Sequence, residues 1–286
     1  MKKLTIPSKS MEETLNLCKS GISQNSYKNR LTGAMDEFTK LSDIYKKDAK
    51  CGTLFNISAL PKGIDENTNI IADITKKELV NLYEYYLRNS KKPGRSIYDE
   101  LYLSANDQCP FCGGIGRPRN LDHFLPKAFF PQFSILPVNL VPSCRDCNMD
   151  GKGQDYAKTE NEQIIHPYLD KNRFFSKKWV SAKVIQDNPC TIEYYVSPPS
   201  NWNINDQERV RTHFHDFDLA KRYSIQAADE LSTIISQRKG YMKNLSEDEY
   251  SNYLASNIDS PLFINHWKKV LYYCLSNDEW FCSQKF

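Results

Sequence analysis

Two Cys-x-x-Cys pairs, far apart in the chain, constrain this sequence more than any other feature. The pairs are Cys109 with Cys112 and Cys144 with Cys147. A gap of two residues lets both thiolates of a pair turn toward one ion, and four thiolates suit one tetrahedral zinc ion. We therefore predict a closed structural zinc site, which would stabilise the fold without touching a substrate.

Redox dithiols and ordinary buried thiols are the alternatives for these cysteines. A redox Cys-x-x-Cys is normally single and opens a helix in a thioredoxin-like unit, so two distant pairs favour a metal. The chain of 286 residues is too large to need a disulfide framework. The other cysteines lack such spacing and are interpreted as ordinary thiols: Cys18, Cys51, Cys190, Cys274 and Cys282.

Composition and charge exclude few classes of function. The sequence shows neither a signal-peptide pattern nor an apolar run long enough to cross a membrane, so we expect a cytoplasmic protein. The formal net charge of +3 is too mild to indicate a polyanionic partner by itself. Any such partner has to be sought in local clusters of charge.

Hydrophobic periodicity predicts an α+β protein that is mostly helical. We expect a helical N-terminal region over residues 1–106, a zinc-bound core with a following hairpin over 107–200, and a helical C-terminal region over 201–286. The stretch from Cys51 to Asn69 is predicted to be a loop, either a hinge or a variable insertion.

Local signals place the hairpin and one helix start. The runs KKWVSAKVIQ and CTIEYYVS resemble two strands on either side of Asp187-Asn188-Pro189. Ser246 with Glu249 forms a capping-box pattern, which predicts a helix that begins there.

Candidate functional residues lie between and just after the cysteine pairs. Asp122 and His123 are adjacent, and a bend in a strand would let the carboxylate and the imidazole serve one site in two roles. Asn148 follows the last cysteine directly. Lys152 lies four residues further on, on the same face of a predicted helix, so both side chains could return toward Asp122.

Residues 109–152 resemble the HNH endonucleases, whose fold is a ββα-metal unit that is often built around a four-cysteine zinc site. LDHFLPK is similar to the family's first strand, VNLVPSC to the middle of the motif, and CRDCNMDGK to the start of the helix. The family is named after the residues His-Asn-His, and Asn148 stands where that name has its second histidine.

This resemblance implies a role for each matched residue. His123 would be the general base that activates water, and Asn139 would orient it through hydrogen bonding. Asp122 and Asn148 would be ligands of a catalytic Mg²⁺ or Mn²⁺ ion, which accept carboxylate and amide oxygens. The alternative for each residue is a structural role: a turn cap, a buried histidine or a turn-shaping asparagine.

The chemistry of phosphodiester hydrolysis agrees with these roles. The reaction needs a nucleophile made from water and stabilisation of the charge on the phosphate, which one base and one divalent ion can supply. A histidine with an ordinary pKa of about 6.5 already accepts a proton near neutrality. Candidates for holding phosphates are Lys152, Arg117, Arg119 and Lys127, and solvated surface charge is their alternative role.

The stretch IIHPYLDK, which contains His166, is similar to a branch of HNH proteins encoded beside ATPases in bacterial anti-phage defence, among them subunits of Septu systems and of some retrons. His166 could reach the metal or the phosphate, and a buried structural histidine is the alternative. The chain has no Walker A loop, so an ATPase function, if one exists, would have to come from the partner subunit that this resemblance suggests. We assign no chemistry to His213, His215 and His266.

A basic, aromatic run over residues 171–183 is the candidate contact with nucleic acid. Its cations are Lys171, Arg173, Lys177, Lys178 and Lys183, and Phe174, Phe175 and Trp179 interleave with them. Such a mixture fits phosphate and base contacts, and a half-buried hairpin shows the same alternation. Phosphate contacts carry no sequence information, and no other feature of the sequence indicates recognition of particular bases.

The sequence thus favours a metal-dependent nuclease within a mostly helical chain, possessing structural zinc and catalytic magnesium or manganese. DNA is the first expected substrate because the family that the motif resembles acts mostly on DNA, and RNA stays open. One rival is a non-catalytic zinc-ribbon module that binds nucleic acid or protein. The other is an RNA-cleaving toxin that uses the same residues.

Overall fold

A computed structural model of the chain describes residues 1–187 and 189–286, which divide into two units. One unit comprises Lys3–Lys171, and the other comprises Met1–Lys2 with Asn172–Phe286. This boundary differs from the predicted divisions at residues 106 and 200. The cysteine segment belongs with the N-terminal helices, and the later hairpin belongs with the C-terminal helices.

The N-terminal unit combines five helices with two small antiparallel hairpins. The helices are α1 (Met11–Ser20), α2 (Asn25–Gly33), α3 (Met35–Cys51), α4 (Lys76–Asn81), which continues as the π-helical segment Leu82–Leu87, and α5 (Arg95–Leu103). The strands are β1 (Asn69–Ile71) with β2 (Ile74–Thr75), and β3 (Asn120–His123) with β4 (Leu140–Ser143). A second π-helical segment, Asp146–Lys152, follows β4.

Local sequence explains where these helices begin. Ser10 and Thr75 precede α1 and α4, and each forms a capping box with the glutamate three residues later. Each box satisfies backbone N–H groups that the first turn of a helix leaves without partners. The segment from Cys51 to Asn69 is mostly loop, as predicted, with one short 3₁₀ turn at Leu54–Asn56.

The β3–β4 hairpin is the element that positions the predicted site. Asp122 pairs with Val141 and His123 with Leu140 in its register. All four residues of β4 are buried, and the Tyr83 hydroxyl donates a hydrogen bond of 3.0 Å to the Leu121 carbonyl. The hairpin is therefore a largely buried element of the N-terminal unit.

The C-terminal unit contains the remaining hairpin and helices. They are α6 (Arg173–Ser176), β5 (Val180–Ile185), β6 (Thr191–Val196), α7 (Ile204–Asp216), α8 (Leu219–Lys239), α9 (Glu247–Ser256), α10 (Trp267–Ser276) and α11 (Glu279–Ser283). The predicted hairpin is confirmed by six antiparallel pairs from Val180–Val196 to Ile185–Thr191, and Asn188 of its predicted turn lies outside the described residues. The capping box of Ser246 and Glu249 begins α9 as predicted.

The observed class is α+β and rich in helix, with three small two-stranded sheets among the described residues. This confirms the predicted class. None of the helices in the described ranges is long and apolar enough to span a membrane.

Candidate functional site

The four predicted cysteines form one buried cluster. The Sγ atoms of Cys109, Cys112, Cys144 and Cys147 all lie within 4.8 Å of one another, and the four residues are buried. A set of four thiols at this separation can hold a tetrahedral zinc ion. The prediction of a four-cysteine cluster is confirmed. One cysteine pair precedes β3 and the other follows β4, and the pairing of these two strands brings them together.

Two glycines allow the tight turn behind the first cysteine pair. Gly113 and Gly114 have φ angles of 67° and 92°, which disfavour any side chain with a Cβ. The turn closes with a hydrogen bond of 2.9 Å from the Cys109 amide to the Gly116 carbonyl, and the Gly116 amide lies 3.3 Å from the Cys112 sulfur. An amide that points at a sulfur stabilises the thiolate, which is the form that binds a metal.

A further carboxylate, imidazole and amide meet beside this cluster. Asp122, His123 and Asn148 line one cleft of about 350 Å³, together with Lys127, Met149 and Gln154. Strand β3 supplies the first two residues, and the π-helical segment Asp146–Lys152 supplies Asn148. The structure thus brings together three of the residues that the sequence predicts to be functional.

His123 is held in one tautomer and orientation. Its Nε2 atom lies 2.9 Å from the Ser134 carbonyl oxygen, which can only accept a hydrogen bond, so Nε2 carries the proton and Nδ1 keeps its lone pair. The Tyr83 ring packs edge-on against the imidazole, with 4.4 Å between ring centroids.

Burial, assisted by the nearby Lys127 ammonium, lowers the pKa of His123 to about 3. The sequence predicted an ordinary histidine pKa, and this was wrong because β3 is buried in the unit. The imidazole is therefore neutral at pH 7.

Asp122 is a buried carboxylate with an incompletely satisfied oxygen. Only 8% of the residue is exposed, and its Oδ2 atom accepts no hydrogen bond. The Lys152 ammonium lies 3.7 Å from this oxygen, which is an ion-pair distance. Burial raises the pKa of Asp122 although Lys152 opposes the shift. A carboxylate oxygen in this condition is suited to a further cation.

Lys152 does not lie where a phosphate contact was predicted. Its side chain is buried, and its ammonium donates a hydrogen bond of 2.8 Å to the His123 carbonyl while facing Asp122. The predicted spacing does bring Lys152 back to β3 with Asn148. Its charge, however, faces the buried Asp122 carboxylate and not the solvent, because the π-helical segment turns the side chain inward.

Asn148 is oriented by a neighbour on β3. Its Nδ2 atom donates a hydrogen bond of 2.9 Å to the Asn120 side-chain oxygen. Because an amide presents its nitrogen and its oxygen in opposite directions, this bond fixes where the Asn148 oxygen points. The residue is half-buried at the cleft wall.

Asn139 holds the loop beside the imidazole. Its Oδ1 atom accepts from the Leu125 amide at 2.7 Å, and its Nδ2 atom donates to the carbonyls of Leu125 and Phe133, each at 3.1 Å. Asn139 and His123 share no hydrogen bond among the described contacts. Asn139 instead secures Phe133, whose neighbour Ser134 accepts from His123, so orientation of the imidazole passes through the backbone.

His166 lies behind this loop and does not line the cleft, contrary to one of its predicted roles. Its Nδ1 atom accepts from the amides of Tyr168 and Leu169, so the proton is on Nε2, which lies 3.2 Å from the Tyr45 hydroxyl. That hydroxyl donates to Asn139 Oδ1 at 2.9 Å. The alternative of a buried structural histidine therefore describes His166.

Tyr45 and Ser134 are the residues that the sequence analysis missed. Tyr45 occupies an apolar-face position of α3 and looks there like any core aromatic residue. Ser134 contributes a backbone carbonyl, which any residue type could supply. Neither residue leaves a signal in the local sequence pattern.

The predicted phosphate-binding residues are distributed differently. Lys127 lines the cleft and pairs with Glu84 at 3.3 Å. Arg117 and Arg119 are exposed and form no ion pair among the described residues. Lys127 therefore adjoins the candidate cleft, whereas Arg117 and Arg119 do not line it.

The basic run 171–183 is largely explained by packing. Phe174 and Trp179 are fully buried and offer no surface to a base, which favours the structural alternative for these two residues. Arg173 pairs with Asp206 and Lys183 with Glu193.

The three histidines to which no chemistry was assigned belong to helices of the same C-terminal unit. His213 is buried and His215 exposed on α7, and His266 is the N-cap of α10.

The fold and site together define a helix-rich α+β protein in which a buried four-cysteine cluster stands beside a cleft that holds a carboxylate, an imidazole and an amide. The chain is 39% identical over 291 residues to protein ea31 of Escherichia phage lambda, and the match covers 98% of both chains. The chain therefore belongs to the family of protein ea31.

A second similarity covers a shorter part of the chain. The chain is 29% identical over 103 residues to the Septu protein PtuB of Bacillus thuringiensis, a match that covers 32% of this chain and 37% of PtuB. No family model and no solved structure matches the chain. The Septu similarity and the cysteine cluster both fit the resemblance that the sequence motif indicates.

Proposed function

We propose that the chain is a metal-dependent HNH endonuclease that hydrolyses phosphodiester bonds of nucleic acid, with DNA as the first expected substrate. The convergence of His123, Asp122 and Asn148 on one cleft carries this proposal. The antiparallel β3–β4 hairpin and the helical segment after it have the order of a ββα-metal unit. The similarity to a Septu protein supports a role in anti-phage defence.

The donor set fits two different metals. The cysteine cluster would hold a structural zinc ion, which contributes folding free energy. Asp122 Oδ2, buried without a hydrogen bond, and the side-chain oxygen of Asn148 would hold Mg²⁺ or Mn²⁺, since both metals prefer oxygen ligands. When bound, such an ion supplies charge stabilisation for the phosphate and the leaving oxygen.

His123 is the general base in this proposal. Its Nδ1 atom has the free lone pair, because Nε2–H is engaged by the Ser134 carbonyl. The neutral imidazole present at pH 7 is the form that can take a proton from water. An anionic phosphate in the cleft would raise the pKa of His123, since an opposite charge favours the imidazolium. Substrate would thus strengthen the base that acts on it.

Two lysines have separate tasks in the site. Lys127, on the cleft wall, is positioned to contact the phosphate. Lys152 neutralises Asp122 from the interior and, by binding the His123 carbonyl, fixes the end of β3. The first lysine would therefore act on substrate and the second on the geometry of the protein.

An ATPase partner is part of the proposal. The HNH branch that the IIHPYLDK stretch resembles is encoded beside ATPases, and that resemblance is the ground for the partner. Co-purification of tagged protein from a host that expresses its neighbouring genes would test it. Recovery of the chain alone under those conditions would contradict it.

Cleavage assays test the function itself. Purified wild-type protein, His123→Ala and the control His215→Ala, which changes an exposed histidine, are incubated with plasmid DNA and with total RNA in Mg²⁺ or Mn²⁺, and bound zinc is measured in each. We expect wild type and His215→Ala to cleave DNA and His123→Ala not to cleave it, with equal zinc content in all three proteins. Cleavage of RNA only would favour the toxin alternative. No cleavage by any protein, alone or with its partner, would favour the binding module.

A further inference from the structure

A second pocket of about 600 Å³ adjoins the candidate active-site cleft. Its lining includes the loop residues 59–62, Phe129 and residues 154–156 with Lys158. A volume of this size is within the range of pockets that bind small organic groups, roughly 300–1,000 Å³. No role in the proposed hydrolysis has been assigned to any of these residues.

The two pockets share their walls. Gln154 lines both of them, and residues 126–128 of the cleft continue directly into Phe129 of the second pocket. The opposite wall runs from Gly153 in the cleft to Tyr156 in the pocket. Gly153 has φ 54° and ψ −128°, a conformation open to glycine, and it turns the chain out of the π-helical segment. The pocket therefore lies next to the cleft, with Gln154 between them.

Two aromatic side chains form the inner part of this pocket. The Tyr156 ring lies 5.2 Å from the Phe129 ring and 5.1 Å from the buried Phe130 ring, measured between centroids. Phe129 and Tyr156 are half-buried, so each keeps ring surface open while its position is fixed. Held aromatic rings are the feature on which proteins stack the bases of single-stranded nucleic acid.

The charges at the rim fit an anionic ligand. Lys62 and Lys158 are exposed and form no ion pair among the described residues, and Asp155 is the one acid in the lining. The lining therefore carries two cations against one anion. The Leu60 amide donates a hydrogen bond of 2.9 Å to the Phe129 carbonyl, which ties the loop that carries Lys62 to the aromatic wall.

We propose that this pocket is a nucleobase subsite of the nuclease. The base next to the scissile phosphate stacks on Phe129 and Tyr156, and Lys62 and Lys158 contact the phosphates that flank it. Its assignment to the substrate rests on the proposed nuclease function, whereas its capacity to bind a base does not. Stacking tolerates any base, so the subsite favours unpaired nucleotides without reading their sequence.

Equilibrium binding tests the subsite without any cleavage step. In the His123→Ala background, fluorescence anisotropy measures the dissociation constants of a short oligothymidylate and of an abasic oligonucleotide of equal length. Tyr156→Ala is expected to weaken oligothymidylate binding on the order of tenfold and to leave abasic binding unchanged. Tyr156→Phe and the exposed control Tyr241→Ala should bind both as the parent does.

Two results would overturn the subsite: equal binding of oligothymidylate by the parent and Tyr156→Ala, or equal weakening of both oligonucleotides by Tyr156→Ala. Base-dependent binding through Tyr156 in a protein whose wild-type form never cleaves would instead overturn the nuclease and leave the subsite. The two failures are therefore distinguishable.

The lysines supply an independent readout that does not depend on the aromatic packing. Lys62→Ala and Lys158→Ala should each reduce the slope of log affinity against log salt concentration by about 0.7, the value for one contact with single-stranded nucleic acid. Lys243→Ala, which changes an exposed lysine of the C-terminal unit, should leave the slope unchanged. Unchanged slopes for both pocket lysines would remove the phosphate contacts from the proposal.

Discussion

At the scale of single residues, the side chain of Asn139 secures the loop that holds the proposed general base His123. The residue is fully buried, and its hydrogen bonds reach Leu125, Phe133 and Tyr45. All of its side-chain polar atoms have partners. Any substitution therefore leaves buried backbone groups without theirs.

We expect Asn139→Ala to lower the free energy of unfolding by at least about 2 kcal/mol, since several buried polar groups lose a partner and each such loss costs roughly 1–3 kcal/mol. Cleavage should also fall in the protein that stays folded, because the loop that carries the Ser134 carbonyl loosens. Urea unfolding and cleavage rates measure the two effects. The exposed control Asn67→Ala should change neither stability nor cleavage. An Asn139→Ala protein of unaltered stability would contradict the stabilising role of the Asn139 side chain.

Cys144→Ser tests the role of the cysteine cluster. Structural zinc contributes an apparent ~10 kcal/mol or more, which is comparable to the whole stability of a domain. We therefore expect the variant to lose zinc and the N-terminal unit to unfold, as measured by metal content and circular dichroism. Cys51→Ser, which changes an exposed cysteine, is the matched control. A folded Cys144→Ser protein without zinc would show that the cluster is dispensable.

At the scale of elements, helices and strands were predicted well because their signals are local. The apolar spacing of α3, the capping box of α9 and the two strand-like runs of the C-terminal hairpin all depend on residues within a few positions of one another. The cysteine pairs were found for the same reason, and Asp122, His123 and Asn148, which line one cleft, were singled out by their positions beside those pairs. Each has its partner nearby or a distinctive spacing.

The rest of the site could not be predicted because it depends on tertiary packing. Tyr45 lies 94 positions before Asn139, and nothing around it in the sequence distinguishes it from other core aromatics. The inward turn of Lys152 and the lowered pKa of His123 follow from burial that local patterns do not encode. The same holds for the loop 59–62, which the sequence marks as a loop and the structure places along a pocket.

The start of α10 makes the stability of the C-terminal unit depend on pH. His266 is the N-cap, and its Nδ1 accepts the Lys268 amide at 3.1 Å, which only an unprotonated nitrogen can do. Burial, followed by neighbouring cations, lowers the pKa of His266 to about 4. An unfolded histidine has a pKa of about 6.5. Between these values the unfolded chain binds a proton that the folded chain does not, so this residue reduces stability as the pH falls.

We therefore expect the wild-type protein to lose stability from pH 6.5 to pH 4 more steeply than His266→Asn, which keeps an N-cap acceptor without a titrating group. Denaturant unfolding at several pH values measures the difference. The substitution His215→Asn, at an exposed position, serves as the control. Parallel pH profiles for wild type and His266→Asn would contradict this assignment.

Arg238 connects the end of α8 to the end of the chain. Its buried guanidinium donates hydrogen bonds to the carbonyls of Met242, Leu245, Cys282 and Gln284, and it lies 4.2 Å from the centroid of the Tyr250 ring. This one side chain supplies donors both to the turn that follows α8 and to the C-terminal end of α11. It therefore ties the two parts of the C-terminal unit together.

Arg238→Met should lower the free energy of unfolding by about 3 kcal/mol or more, because several carbonyls lose a charged donor at once. Lys239→Met changes the exposed neighbour and should have little effect. Thermal or urea unfolding of the two variants makes the comparison. Equal stabilities would mean that water replaces the guanidinium without cost.

At the scale of the whole molecule, the candidate chemistry is confined to one of the two units. The cysteine cluster, the cleft and the adjoining pocket all lie within Lys3–Lys171. The C-terminal unit buries most of the aromatic residues that the sequence offered for nucleic-acid contact.

The most direct measurement for the whole chain is the rate of plasmid nicking by wild type and by His123→Ala, with equal zinc content established for both. A general base contributes typically ~10²–10⁴-fold to a rate. We expect nicking in Mg²⁺ or Mn²⁺ to fall by at least about a hundredfold in His123→Ala. Equal nicking by the two proteins would contradict the assignment of the cleft as the catalytic centre.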